Sequence, residues 1–149
     1  MSLSERVAAI PLKVWQDPQG GVVLHVSHKD CDIYVGCWIA SGEPADYLGK
    51  LTFKHAWASR CLSSEIMPYE IHSAERSCIY EIENSQWLNA VSAERLKNYP
   101  RWRDWDKNIY RHYVVKGHDN YVEIIAASFY ESTLPYNEAG ELRRLIGEA

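Results

Sequence analysis

The chain has 149 residues, of which 46% are apolar and 24% are charged, and its formal net charge is −4. These values are ordinary for one globular domain over residues 1–149 and exclude a largely disordered chain. No stretch reaches the roughly 18 apolar residues that span a bilayer. Residues 1–9 lack the apolar run of a secretion signal, so we predict a cytoplasmic protein without membrane contact.

Turn-forming residues divide the first half of the chain into one helix and several strands. The strand segments are rich in β-branched and aromatic residues, and apolar side chains alternate along most of them. We predict a short helix over residues 2–9, ended by Pro11, and strands over residues 12–15, 22–28, 32–40 and 47–58. Turns are predicted between the strands at residues 17–21, 29–31 and 41–44.

The second half adds a long helix and the clearest hairpin pattern of the chain. Asn84 and Ser85 offer a helix cap, and Pro100 closes the helical pattern that follows. We predict strands over residues 77–83, 109–116 and 121–130, and helices over residues 86–98 and 137–146.

Consecutive strands joined by short turns favour antiparallel pairing, because a parallel sheet needs long crossovers between neighbouring strands. The predicted fold is therefore α+β, mainly an antiparallel sheet of about seven strands with two or three helices. The sheet is predicted to be either curved and open or closed into a partial barrel.

The predicted hairpin brings a histidine and a glutamate together. With Lys116 opposite Tyr121, Val114 faces Glu123 and His112 lies diagonally from Glu123, within reach of long side chains. A carboxylate beside an imidazole fixes its tautomer, as a general base or a pH-sensitive contact requires. The alternative is a solvated sheet face with a weak ion pair, which the lack of a nucleophile favours. His112 and Glu123 are the binding candidates of this face.

A second candidate is the basic and aromatic stretch that precedes the hairpin. Residues 95–116 carry seven basic and two acidic groups, a local net charge of +5. Arg and Trp dominate protein interface energies, although they can also contact phosphates and stack on bases. The acidic residues interleaved with them argue against nucleic acid as a partner. A third interpretation is a connection whose Trp rings cover the sheet. The binding candidates here are Arg101, Trp102, Arg103, Trp105 and Tyr110.

Catalytic signatures are absent from the sequence. It has no GxSxG, no HExxH and no glycine-rich phosphate loop. His25, His28 and Cys31 have a spacing that could suit zinc, but His25 and His28 point to opposite faces of one strand. We therefore expect no metal and no cofactor, and a protein that is more readily explained without catalysis.

Two functions stay open at this point. The first is a cytosolic regulatory protein, such as a bacterial-type inhibitor or toxin-neutralising factor, that binds another protein through a Tyr/Trp/Arg surface. The alternative is a small-molecule-binding β-barrel, even an enzyme, with an aromatic pocket anchored by His112, His55 or Glu123. A homodimer formed through an edge strand is compatible with both.

Overall fold

Nine strands and four helices are formed by residues 3–28, 30–71 and 77–147, the parts of the chain that the structure, a computed structural model, describes. The strands are β1 Arg6–Pro11, β2 Val22–Val26, β3 Cys31–Ala40, β4 Glu43–Lys54, β5 Ala58–Ser63, β6 Cys78–Glu83, β7 Arg111–Lys116, β8 Asn120–Ala126 and β9 Ser128–Pro135. The helices are α1 Gln86–Asn98, α2 Trp102–Trp105, α3 Tyr136–Ala139 and α4 Glu141–Leu145.

The strands form two antiparallel sheets. One has the order β1-β6-β7-β8-β5 and the other the order β2-β3-β4-β9. Their facing sides share one buried core, to which β3 and β4 contribute residues such as Ile33 and Phe53, and β7 and β8 residues such as Tyr113 and Ile124. The outer face of the five-stranded sheet is covered by α1, α2 and residues 62–71. The predicted α+β antiparallel fold is confirmed, with the strands divided between two sheets.

The strand number exceeds the predicted seven partly because two long predicted strands are each split. The segment 47–58 becomes the end of β4 and the start of β5, with a break at His55, whose φ is 54°. The segment 121–130 becomes β8 and the start of β9, with a break at Ala127. Residues typical of strands continue on both sides of each break, so the pattern does not reveal that each strand changes sheet there.

The predicted N-terminal helix is wrong over the residues that the structure describes. Arg6–Pro11 is instead the edge strand β1, paired with β6 from Arg6 opposite Glu83 to Pro11 opposite Cys78. Val7 and Ile10 are half-buried against the sheet, and this pairing outweighs the weak local helix preference. Ser2, the first residue of the predicted helix, lies outside the described residues.

Residues 12–15 do not form the predicted strand. The Leu12 amide donates to the Ser77 carbonyl at 2.9 Å, and Trp15 packs edge-on against Trp38 with ring centroids 5.8 Å apart. The segment is therefore a connection that covers the end of the core. The predicted terminal helix is also divided, because Gly140 adopts a φ of 52° between α3 and α4.

The long helix and the hairpin register are confirmed. Helix α1 has the predicted bounds, and its N-cap is Ser85, whose Oγ accepts from the Leu88 amide at 3.0 Å. Strands β7 and β8 pair with Lys116 opposite Tyr121 and Val114 opposite Glu123.

The tight hairpin turn leaves no room for a side chain at Gly117. A Cβ there would lie 2.6 Å from Val22 Cγ2 and 2.9 Å from the backbone oxygen of Asn120, whereas a Cβ on Gly20 would meet nothing closer than 3.6 Å. We expect Gly117→Ala to lower the free energy of unfolding by about 2 kcal/mol, because one neighbour is backbone. Gly20→Ala should change it by less than about 0.5 kcal/mol. Equal effects of the two substitutions in urea unfolding would contradict the described turn.

Candidate functional site

A surface groove lies at the corner where two strands pass from one sheet to the other. The β4–β5 and β8–β9 connections run side by side there and share two backbone hydrogen bonds. The Trp57 amide donates to the Ile125 carbonyl at 2.8 Å, and the Ala127 amide donates to the Lys54 carbonyl at 3.0 Å. Strands that switch sheets make such corners in packed sheets. Lys54, Trp57 and Ala127 of this corner also line the groove.

Four aromatic rings surround one arginine beside this corner. The Arg95 guanidinium, on the last turn of α1, lies 4.6 Å from the centroid of Trp57, 4.3 Å from Trp102, 5.0 Å from Trp105 and 5.9 Å from Tyr110. Trp57 and Tyr110 also stack, with centroids 3.7 Å apart. We call these four rings and Arg95 the Arg95 cage. Cation–π contacts of this kind are worth about 0.5–2 kcal/mol each.

Asp106 holds the Arg95 cage in place by accepting hydrogen bonds from two of its members. Its Oδ2 accepts from the Tyr110 hydroxyl at 2.6 Å and from Arg95 Nη1 at 2.8 Å, and its Oδ1 accepts twice from Asn108 at 3.0 Å. Burial by itself would raise the pKa of Asp106, but these hydrogen bonds and the Arg95 charge outweigh it and lower the pKa to about 2. Both carboxylate oxygens are therefore occupied by the protein's own donors.

Two open clefts contain residues of the cage and a third adjoins one of them, and we call the three together the groove. The largest, about 750 Å³, is lined by Asp30, Lys54, His55, Lys107, Asn108, Ile109, Arg111, Ala127 and Ser128. A cleft of about 390 Å³ is lined by His28, His55, Ala56, Trp57, Arg95, Trp105, Asp106, Asn108 and Tyr110. A third, about 500 Å³, is lined by Trp57, Ala58, Val91, Glu94, Arg95, Asn98, Tyr99 and Trp105. The first two clefts share His55 and Asn108, and the second and third share Trp57, Arg95 and Trp105, so the three lie in a row.

The predicted residues of the basic and aromatic stretch have different positions. Trp102 is 5% exposed and Tyr110 is buried, whereas Trp105 is 63% exposed and lies on the wall between two clefts. Arg103 stacks over Trp102 at 4.2 Å and donates to the Asn108 carbonyl. Arg101 forms an exposed ion pair with Asp104. Of these predicted residues, only Trp105 and Tyr110 line the groove. The stretch therefore alternates between buried rings, which pack against the sheet, and exposed side chains.

The predicted contact between His112 and Glu123 is present, but it is fully buried. His112 Nε2 lies 2.8 Å from Glu123 Oε1, and the two residues are 0% and 1% exposed. Arg60 Nε donates to Glu123 Oε2 at 2.6 Å, and the Tyr69 hydroxyl donates to Oε1 at 3.1 Å. The expectation of a solvated face is wrong, because α1 and residues 62–71 cover the outer side of this sheet.

Ser85 extends this network to the start of α1. Its Oγ lies 2.7 Å from His112 Nδ1 while it accepts from the Leu88 amide. A Ser, a His and a Glu in a row resemble a hydrolytic triad, yet Ser85 is buried and its oxygen already caps a helix. None of the three residues lines the groove. The arrangement therefore holds α1 on the sheet and presents no nucleophile to the groove.

The charge distribution of the network is favourable for a buried carboxylate. Burial alone would raise the pKa of Glu123, but the hydrogen bonds from His112 and Arg60 outweigh it and lower the pKa below its usual value. Arg60 also lies 3.9 Å over the ring of Trp87, which packs edge-on against His112 at 5.1 Å. Burial and the Glu123 charge raise the pKa of Tyr69, so its hydroxyl stays a donor.

Sequence reasoning missed Arg95 and Trp57 as site residues. Arg95, on α1, falls inside the basic segment 95–116 but was not among the binding candidates, and Trp57 lies outside that segment, after the break at His55. The only local signal for Arg95 is its position one helical turn after Val91, on the side of α1 that faces the sheet. Trp57 could not be placed, since the predicted strand continued straight through the corner.

The comparisons with known proteins give no match: no family model, no curated protein and no solved structure matches the chain. Among the described residues, no three His, Cys, Asp or Glu side chains converge as a metal-binding group. None of the described helices is long and apolar enough to cross a bilayer.

Removing the charge of Glu123 should destabilise the protein strongly. Glu123→Gln leaves the buried side chain of His112 and the Arg60 guanidinium without their anionic acceptor, and we expect a loss of about 3 kcal/mol in chemical unfolding. Glu81→Gln breaks the partly exposed ion pair with Arg111, at 3.1 Å, and should cost under about 1 kcal/mol. A loss for Glu123→Gln no larger than that for Glu81→Gln would contradict the network.

Asp106 should make stability depend on acid. Its pKa is about 2 in the folded protein and 3.8 as the ordinary value, so the stabilisation is present above about pH 4 and is lost as the pH falls towards 2. We expect Asp106→Asn to cost about 2 kcal/mol at pH 7, and the difference from wild type to shrink steadily below pH 4. Asp104→Asn, at an exposed ion pair, is the control and should show little difference at either pH. A difference for Asp106→Asn that is constant from pH 7 to 2 would contradict this role.

Proposed function

We propose that the protein is a non-enzymatic regulatory protein, of the inhibitor or toxin-neutralising kind, that holds a segment of a partner protein in the groove. The observation that carries the proposal is the setting of Trp105. The residue is 63% exposed, yet its ring packs against the Arg95 guanidinium, which Asp106 and three further rings hold in place. A large aromatic surface that is rigid before binding loses little entropy on binding, as interface hot spots require.

The shape of the groove supports an extended partner over a compact one. The three clefts adjoin one another from the corner to the end of α1 and are open to solvent. The space between the two sheets is filled by side chains such as Ile33, Phe53 and Val122, each 0% exposed. An extended segment lying across several shallow clefts suits this surface better than a ligand enclosed between the sheets.

A small-molecule ligand is the second candidate, and one observation favours it. The middle cleft, about 390 Å³, is lined by the rings of Trp57, Trp105 and Tyr110, and pockets for small ligands begin at about 300 Å³. Of the predicted anchors, His55 lines this cleft, whereas His112 and Glu123 are committed to the buried network. The ligand would therefore bind at the surface corner.

A photo-crosslinking residue in place of Trp105 tests the proposal. In extracts of the native cells we expect one discrete protein adduct, because the ring faces the partner. The same crosslinker at Ile39, which is 60% exposed on the other sheet, should give none. Excess unlabelled wild-type protein should compete the adduct away, whereas Trp105→Ala should compete at least about 30-fold less well, as expected for a hot spot.

Two results would contradict the proposal. Identical adducts from positions 105 and 39 would show that the groove has no special role. Equal competition by Trp105→Ala and wild type would show that the ring contributes nothing to binding. Crosslinking confined to a small molecule would favour the second candidate.

A further inference from the structure

The two ends of the groove differ in chemistry. The cleft beside the end of α1 is mainly apolar, with Val91, Tyr99 and the rings of Trp57 and Trp105 among its lining residues. Tyr99 and Trp105 are both 63% exposed, so this end presents two rings to whatever lies there. An aromatic or aliphatic side chain is the occupant that this end would bury favourably.

The opposite end is cationic. Lys54, Lys107 and Arg111 line the largest cleft, and Asp30 is the only acidic residue among its described lining residues. Lys54 Nζ pairs with Asp30 at 2.8 Å, and Arg111 pairs with Glu81, outside the cleft. This end therefore keeps an excess of positive charge.

Lys107 is the basic residue of this cleft that can bind a ligand carboxylate without losing an existing ion pair. Its Nζ donates to the Arg103 carbonyl at 2.7 Å, and it forms no ion pair with any carboxylate in the described parts of the chain. A carboxylate bound there would form a new ion pair without breaking an existing one. The same contact to Lys54 or Arg111 would compete with Asp30 or Glu81.

The middle cleft offers no free negative charge to a bound segment. Asp106 is the carboxylate of that cleft, and both of its oxygens are occupied by Tyr110, Arg95 and Asn108. A cationic group on the occupant would therefore find no free carboxylate in the middle cleft, and it would meet the Arg95 charge.

From these contacts we infer that the segment bound in the groove is an acidic peptide: an aromatic or aliphatic side chain fills the cleft beside Tyr99 and Trp105, and an Asp or Glu a few residues away pairs with Lys107. The inference depends on the proposed function, whose partner class it specifies. Single-stranded nucleic acid could also offer stacking rings and negative charge. Glu94 in the apolar cleft and Asp30 in the cationic one oppose a continuous phosphate backbone.

A panel of synthetic peptides tests the inference by fluorescence anisotropy. Each decapeptide carries one Trp or Leu and a Glu pair at a spacing of one to five residues. Matched peptides carry Lys in place of Glu, or Ala in place of the apolar anchor, and an oligothymidine of ten nucleotides is the nucleic-acid probe. The protein variants are Lys107→Glu and, as a control of equal charge change, Lys116→Glu, an exposed lysine of β7 that does not line the groove.

We expect a Glu-bearing peptide to bind at least tenfold more tightly than its Lys counterpart. Lys107→Glu should weaken that peptide at least tenfold, whereas Lys116→Glu should change it less than threefold. Raising the salt concentration should weaken binding to the wild type more than to Lys107→Glu, because one ion pair is screened.

Several results would overturn the inference. Equal binding of Glu and Lys peptides, equal effects of the two lysine variants, or tighter binding of oligothymidine would each do so. If no peptide binds while the Trp105 crosslink still forms and competes as expected, the acidic-peptide inference is wrong and the proposed function stands. If neither is observed, both are wrong.

Discussion

The groove depends on two neighbouring strands that change sheet at the same place. The chain leaves β4 after Lys54 and enters the other sheet at Ala58, while β8 ends at Ala126 and β9 begins at Ser128. Hydrogen bonds from the Trp57 and Ala127 amides tie the two crossings together. Because Trp57 lies on one crossing and His55 and Ala127 on the walls of the clefts, the corner sets both the position and the lining of the groove.

Two polar clusters, one fully buried and one nearer the surface, hold α1 against the five-stranded sheet beside this corner. The deeper one joins Ser85, His112, Glu123 and Arg60, and it fixes the first turn of α1. The shallower one centres on Asp106, and it fixes the last turn through Arg95. Buried charges are costly unless they are fully paired, so each cluster specifies one position of the helix. Trp105, which is exposed, consequently packs against a helix end that both clusters hold in place.

Sequence patterns predicted the structure correctly where it depends on residues close together in the chain. Ser85 and Pro100 bound α1, and the turn at residues 117–120 set the register that places His112 diagonally from Glu123. The patterns failed where the structure depends on contacts between residues that are distant in the sequence. Alternation cannot show that a strand crosses to a second sheet, and His55 adopts a positive φ without being a glycine. The burial of His112 follows from the covering by α1, and the cage follows from the approach of Arg95 and Trp57, which are 38 positions apart in the sequence.

Amide hydrogen exchange followed by NMR tests whether the two crossings are hydrogen-bonded to each other as one unit. We expect the amides of Trp57 and Ala127 to be protected to a similar degree as those of the inner strands β7 and β8, although both residues lie outside any strand. Exchange of these two amides at the rate of an exposed turn would contradict it, since the walls of the groove would then have no fixed arrangement.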